Sequence, residues 1–263
     1  MAIDLVHPGW LFQHDCAFYD AWGQRMDTAE LPRWSAPALA KLRAANHAAA
    51  GPDSPLIPDQ LLQVFDAQHA DGARRKCIDL YGDLNDRDRM LGKFGLKREI
   101  EHDILVMIWS RSKTRLPAFP AQGDRPAPPV VEIEREDWYD SVIQTRKDGV
   151  RDWEHDVIRH QASIEPARFY GIRIGDVAVA CGARYDLNSA SRVDSLHVDE
   201  DFRGTGFGRA VLARAIREAS AERIYGTFDE ANFAIAAIGE RLGGAVALRD
   251  VYRRYVGKWE DHT

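Results

Sequence analysis

Arg203-Gly204-Thr205-Gly206-Phe207-Gly208 places three glycines in five residues, directly after an arginine and directly before an apolar-periodic run. That run, with Val211, Leu212, Ala215, Ile216 and Ala219 in register, has the spacing of one helix face. The segment ahead of the loop, "SRVDSLHV", reads as a strand. A strand that turns into a helix through glycines either bends sharply there or lets something come close to its backbone. The first turn of a helix carries unpaired N–H groups and the positive end of the helix dipole. A phosphate or pyrophosphate is the ligand such a turn suits, and Arg203 is placed to add a charge-assisted contact.

Three phosphate loops compete for this stretch. A nucleoside-triphosphate loop requires Lys-Ser or Lys-Thr after its last glycine, and none follows. A dinucleotide fingerprint fits Gly204 and Gly206 but finds Arg209 at its third glycine, and the flanking strands read as antiparallel. The third pattern, [R/Q]xxGx[G/A], is met by Arg203, Gly206 and Gly208. With "LHV" ahead of the arginine, "DF" just before it and the amphipathic helix after it, the stretch resembles the GNAT superfamily of acyl-coenzyme A-dependent N-acyltransferases. The resemblance covers about residues 130–258.

The order of elements around the loop agrees. Residues 130–258 read as β-α-α-β-β-β-α-β-α-β(β), with a turn at Gly175-Asp176 and a helix stop at Gly149. A Pro/Ala-rich stretch precedes them, "RLPAFPAQGDRPAPPV", where proline denies helix and sheet; residues 118–129 are taken as a linker. Residues 1–117 read as mainly helical, with helices expected over 7–26, 36–50 and 58–70, then a strand, a short helix and two strands. Within them "IDLYGDLNDRDRMLGKFG" echoes "RIYGTFDEANFAIAAIGERLGG", which suggests a partial, decayed copy of the second half. The expected fold class is α/β (α+β): a mixed, mainly antiparallel GNAT-type sheet flanked by helices, behind a helical, partly GNAT-like N-terminal domain.

The resemblance implies a donor site for acetyl-CoA or another acyl-CoA. By position, the amides of Arg203, Gly204, Thr205, Gly206, Phe207, Gly208 and Arg209 would hold the pyrophosphate. Leu196, His197 and Val198 would pair with the pantetheine arm as if it were an added strand, and Asn232 would touch that arm. The implied reaction is direct attack of an amine on the thioester. The amine must lose a proton, and Asp194 and His197 are the candidates to take it. Val198 N–H is the candidate donor to the oxyanion. The pattern has one departure. The tyrosine that many members carry seven residues after the asparagine, as acid for the leaving thiolate, is here Gly239. Tyr225 and Tyr252 are the nearby substitutes; otherwise the thiolate leaves unaided.

The acceptor is expected to be a small-molecule amine, in a pocket between the two parts that has Asp137, Asp140 and Asp194 at hand. Two other readings stay open. One is a donor on an acyl carrier protein, docked on Arg203, Arg209, Arg214 and Arg217. The other is a non-catalytic acyl-CoA sensor or scaffold, and a homodimer is open in each case. Composition narrows the rest. A net charge of −6 over 263 residues disfavours nucleic acid as the main partner. No apolar run is long enough to span a membrane and no signal peptide is visible. Three scattered cysteines, Cys16, Cys77 and Cys181, suit a reducing, cytoplasmic setting. "HDC" at 14–16 has no second cluster, so no metal site is expected.

Overall fold

A computed structural model describes residues 7–28, 31–35, 46–73, 75–82, 85–99, 104–114, 128–144, 152–165, 167–187 and 189–259. The chain divides into two compact units. The first comprises Met1–Leu105, Asp229–Ala231 and Ala247–Thr263; the second comprises Val106–Phe228 and Asn232–Val246. Residues 118–127 of the expected linker, and Gly149, lie outside the described residues. The units are discontinuous along the chain because each sheet takes in a strand from the other side of that linker.

The first unit contains α1 (Pro8–Trp22), β1 (Gln24–Arg25), β2 (Arg33–Ser35), β3 (Asn46–Ala50), α2 (Pro58–Ala70), β4 (Lys76–Tyr81), α3 (Asn85–Lys93), β5 (Lys97–Arg98) and, from much later in the chain, β13 (Tyr252–Gly257). Its six strands run in the order β1-β2-β3-β4-β13-β5. This is more strand than the sequence suggests. Of the helix expected over 36–50, residues 36–45 lie outside the described residues and 46–50 form β3, parallel to β4. Ala48, Ala49 and Ala50 are at most 1% exposed, so both faces of β3 are covered. Packing of that kind overrides the helix preference of alanine.

Helix α1 buries the stripe Leu11, His14, Asp15, Phe18, Tyr19 and Trp22, spaced three and four residues apart. Proline at its start costs no hydrogen bond, and the His7 side chain accepts from Trp10 N. Two of its buried polar residues join a network across the sheet. Tyr81 Oη donates to Asp15 at 3.0 Å, and Tyr19 and Tyr252 each donate to Asp79 at 3.3 Å. Asp79 on β4 is fully buried. Arg254 on β13 neutralises it through Nε at 2.6 Å and Nη2 at 2.8 Å. The carboxylate thus fixes β13 beside β4, in the antiparallel register Tyr252↔Tyr81 to Gly257↔Lys76.

The second unit's sheet takes β6 (Ile104–Ser110) together with β7 (Val130–Ile133), β8 (Ala167–Ile174), β9 (Val177–Leu187), β10 (Ala190–Val198), β11 (Arg223–Asp229) and β12 (Ala245–Arg249). Its order is β12-β6-β11-β10-β9-β8-β7. Helices α4 (Arg135–Gln144) and α5 (Asp152–Ser163) precede β8, α6 (Phe207–Arg217) joins β10 to β11, and α7 (Phe233–Arg241) joins β11 to β12. The sequence-based order of elements over 130–258 matches this series. Val211, Ala215 and Ile216 of α6 close one core against Ile172, Val179 and Ile224 of the sheet.

The two sheets share one wiring. In the first, β1-β2-β3-β4 is followed by a strand from elsewhere and then β5; in the second, β8-β9-β10-β11 is followed by a strand from elsewhere and then β12. The parallel pairs β3–β4 and β10–β11 are each bridged by a helix, α2 and α6. Helices α3 and α7 occupy matching intervals. The echo seen between two short segments therefore extends from β1 to β5 in the first half and from β8 to β12 in the second.

Removing one partner of the buried pair strands the other. Arg254→Met or Asp79→Asn is expected to lower stability by about 3–5 kcal/mol, read from urea denaturation followed by tryptophan fluorescence. The double variant Asp79→Leu/Arg254→Met recovers part of that loss.

Candidate functional site

The loop before α6 presents its backbone outward. Gly204 and Gly206 have φ of 79° and 89°, the left-handed region that favours glycine. A Cβ built at either position meets open space, so the conformation and not crowding demands glycine. Gly208 has a different reason: a Cβ there lies 3.1 Å from Val198 Cγ2, so glycine lets α6 pack closely on β10. Arg203 N, Thr205 N and Ala210 N bond within the loop and first turn, and Phe207 N reaches Thr205 Oγ1 at 3.4 Å. The amides of Gly204, Gly206, Gly208 and Arg209 have no acceptor among the described residues. Arg209 Nε is buried and unpartnered as well. Arg241, in the last turn of α7, lines the same cavity as Arg203 and Arg209. Donors without acceptors, three guanidinium groups and a helix N-terminus fit a pyrophosphate-bearing ligand.

Strand β10 carries a bulge. Asp194 pairs with Ala183 and His197 with Cys181, so three steps on β10 answer two on β9. Ser195, in the bulge, has φ of 54°. Asp194 fixes this kink: Oδ1 accepts from Ser195 N at 2.7 Å, and Oδ2 accepts from Arg192 Nε at 3.2 Å and Nη2 at 3.0 Å. On its other side β10 pairs with β11 at Ser191↔Ile224 and Arg192↔Tyr225, and then the strands part. Asp199 N donates to Val179 O at 2.8 Å, continuing the β9 ladder. Alternation along an antiparallel ladder then turns the Val198 amide away from β9, toward the gap.

Two adjoining cavities follow from this geometry. The larger, about 640 Å³, runs from the glycine loop to Leu196, His197 and Val198. The smaller, about 320 Å³, continues between the parted strands past Asp194 and Ser195. Leu196, His197, Asn232 and Ile235 line both. The fold thus brings together the loop residues 203–209, Leu196, His197, Val198, Asn232 and Asp194. Asn232 also caps α7, accepting from Ile235 N with Oδ1, which leaves its amide NH₂ for other partners. Asp137 and Asp140 line neither cavity; Asp137 is paired with Arg173 at 2.6 Å.

Residues 128–243 match the family model described as "Acetyltransferase (GNAT) family". They are a GNAT domain. No curated protein matches the chain. Among solved structures, a GCN5-related N-acetyltransferase from Kribbella flavida is 16% identical, with TM-score 0.70 and 98% of each chain covered. A GNAT-family protein from Novosphingobium aromaticivorans is 16% identical, with TM-score 0.56, 97% of this chain and 98% of its own covered. A tandem GNAT protein from the clavulanic acid biosynthesis pathway is 12% identical, with TM-score 0.56, 87% of this chain and 76% of its own covered. At these identities the likeness is one of fold.

The corresponding turn of the first unit, between β3 and α2, has the opposite polarity to the GNAT loop. It reads Gly51-Pro52-Asp53-Ser54-Pro55-Leu56-Ile57, then Pro58, and its prolines have no N–H to offer. Its carbonyls converge on Arg87, whose guanidinium donates to Gly51 O, Pro52 O and Ser54 O at 2.8–3.0 Å and to Tyr81 O at 3.0 Å. This turn gathers its carbonyls on a cation, whereas the GNAT loop turns amides outward.

Gly239 of the GNAT domain has a packing cause. A Cβ there would run into Met107 Sδ and lie 3.0 Å from Trp109 Cζ2, and Trp109 Nε1 donates to Gly239 O at 3.0 Å. Strand β6 is pressed so close to α7 that the family's tyrosine has no room. Neither substitute stands in: Tyr225 is buried outside both cavities, and Tyr252 belongs to the first unit's sheet, bonded to Asp79. Sequence reasoning also missed Trp109, Thr227, Phe228 and Arg241. Arg241 had a signal, since Ala234, Ile235, Ile238 and Arg241 share one face of α7. Trp109 had none, because it arrives on a strand from before the linker. Gly239→Tyr is expected to lower the melting temperature by several degrees or more, as an overpacked core does; scanning calorimetry reads it. It is not expected to raise turnover.

Proposed function

We propose that the chain is an acyl-CoA-dependent N-acyltransferase acting on the amine of a small molecule, in a ternary complex by direct attack. The row of unpaired amides at Gly204, Gly206, Gly208 and Arg209, at the mouth of a cavity leading to the parted strands, carries this reading. The bound donor supplies an acyl group activated as a thioester. Arg203, Arg209 and Arg241 neutralise its phosphates, and the edge of β10 at Leu196–Val198 takes the pantetheine arm.

His197 takes the proton from the incoming ammonium, since it lies where the two cavities meet. The C–N bond forms first, the Val198 amide receives the oxyanion of the tetrahedral intermediate, and its collapse breaks the C–S bond. The thiolate leaves unaided; the nitrogen sheds its second proton and the thiolate takes one up, through His197 or solvent. Asp194 has both oxygens engaged, by Arg192 and by the Ser195 amide, so it holds the bulge in shape and leaves the proton to His197. A reducing, cytoplasmic setting agrees with three buried free thiols, each pushed up to about 12 by burial and so kept unreactive. Among the described residues no helix is long and apolar enough to cross a membrane.

Thiol release from acyl-CoA against a panel of amines tests the reaction; binding without release would mark a sensor instead. Gly206→Val is expected to weaken CoA binding about 10–100-fold, by displacing one or two charge-assisted hydrogen bonds; unchanged affinity by calorimetry overturns the donor site. His197→Gln is expected to cut kcat about 100-fold and to flatten the pH profile of the rate. Asp194→Asn is expected to act less and to keep that profile. If instead only Asp194→Asn shifts the profile, Asp194 is the base.

A further inference from the structure

We propose that the smaller cavity is an acyl-chain pocket, and that the donor's acyl group is an aliphatic chain longer than acetyl. This rests on the donor-site reading above and adds the class of group transferred. Position is the first argument. The cavity begins at Leu196 and His197, where the larger one ends, and continues back along β10 to Val193. It also follows α6 as far as Ala215, about two turns beyond the glycine loop. A donor held by its phosphates at the loop would therefore point its acyl end into this space.

Chemistry is the second argument. The far walls are Trp109, Val193, Val211, Leu212, Ala215 and Phe228, none of which offers a charge. The one carboxylate on the wall, Asp194, already accepts from Arg192 and from Ser195 N. Ser195, His197, Thr227 and Asn232 line the rest of the cavity and none carries a negative charge, so a charged amine would find no carboxylate there that is not already engaged, whereas a hydrocarbon needs none. Water suits the far end poorly too, since buried water needs two to four polar partners.

Size is the third. At about 320 Å³ the pocket is far larger than a methyl group needs. Two buried alanines, Ala183 on β9 and Ala215 on α6, keep its walls back. They mark where larger side chains would fill the space without touching the loop, His197 or Val198.

Calorimetry on the full chain with CoA, acetyl-CoA and hexanoyl-CoA tests this. Each buried methylene is worth about fourfold in affinity, so hexanoyl-CoA is expected to bind at least about tenfold tighter than acetyl-CoA. Ala215→Leu is expected to abolish that difference while CoA itself binds as before. Ala183→Val is the second variant, should Ala215→Leu not fold by circular dichroism, and it is expected to shrink the difference in the same direction. If CoA binds but the two esters bind alike, or acetyl-CoA binds tighter, the acyl-chain pocket is overturned and the donor site stands. If Ala215→Leu weakens an amine acceptor and not the longer ester, the cavity is the acceptor's and the proposal fails. If neither CoA nor its esters bind, the donor-site reading falls and the pocket with it.

Discussion

Two parallel strands that part leave backbone donors and acceptors on their inner edges without partners, and a buried edge of that kind has to be met by something. In the second unit β10 and β11 share their ladder at Ser191 and Arg192 and then diverge. The bulge at Ser195 makes the divergence permanent, because Asp194 supplies the hydrogen bond that the displaced Ser195 amide would otherwise lack. Arg192 in turn neutralises Asp194 and stacks over the Tyr225 ring at 6.0 Å. The gap is therefore held open by a chain of contacts, from a core tyrosine through an ion pair to one backbone amide. Both cavities, the outward Val198 amide and the place of His197 follow from it.

The two halves share wiring and differ in polarity at one turn. In the second unit glycines turn amides outward; in the first, prolines remove amides and Arg87 gathers carbonyls inward. The Arg87 guanidinium satisfies the carbonyls that this turn would otherwise expose. The first unit keeps the sheet and its helices, and its buried polar residues serve to fix strands.

Much of the second half was legible in the sequence because its signals are local. Alternation marked β8 to β10, the spacing of Val211, Leu212 and Ala215 marked α6, and the glycines marked the turn between them. The first half was less legible where packing overrides local preference. "NHAAA" favours helix on its own, and only burial on both faces makes it β3. Strand partners were not legible either. An apolar run such as Ile104–Trp109 announces a strand but not which sheet will take it, and so Trp109 and the reason for Gly239 were out of reach. Spacing placed Asp194 beside the site correctly, but a carboxylate's role depends on its donors, and Arg192 and the Ser195 amide emerge only once the bulge is formed.

The exchange of strands also bears on how the chain comes into being. Asp79 and Arg254 lie 175 residues apart, yet they close one sheet. While the protein is being synthesised, β4 and β5 must wait with the slot between them unfilled until β13 leaves the ribosome, which exposes two strand edges for most of that time. Contacts of such long range make folding slow. They also tie the two halves together in time: neither sheet is whole until nearly all of the chain is present, so the first half cannot be finished early and set aside as an independent module.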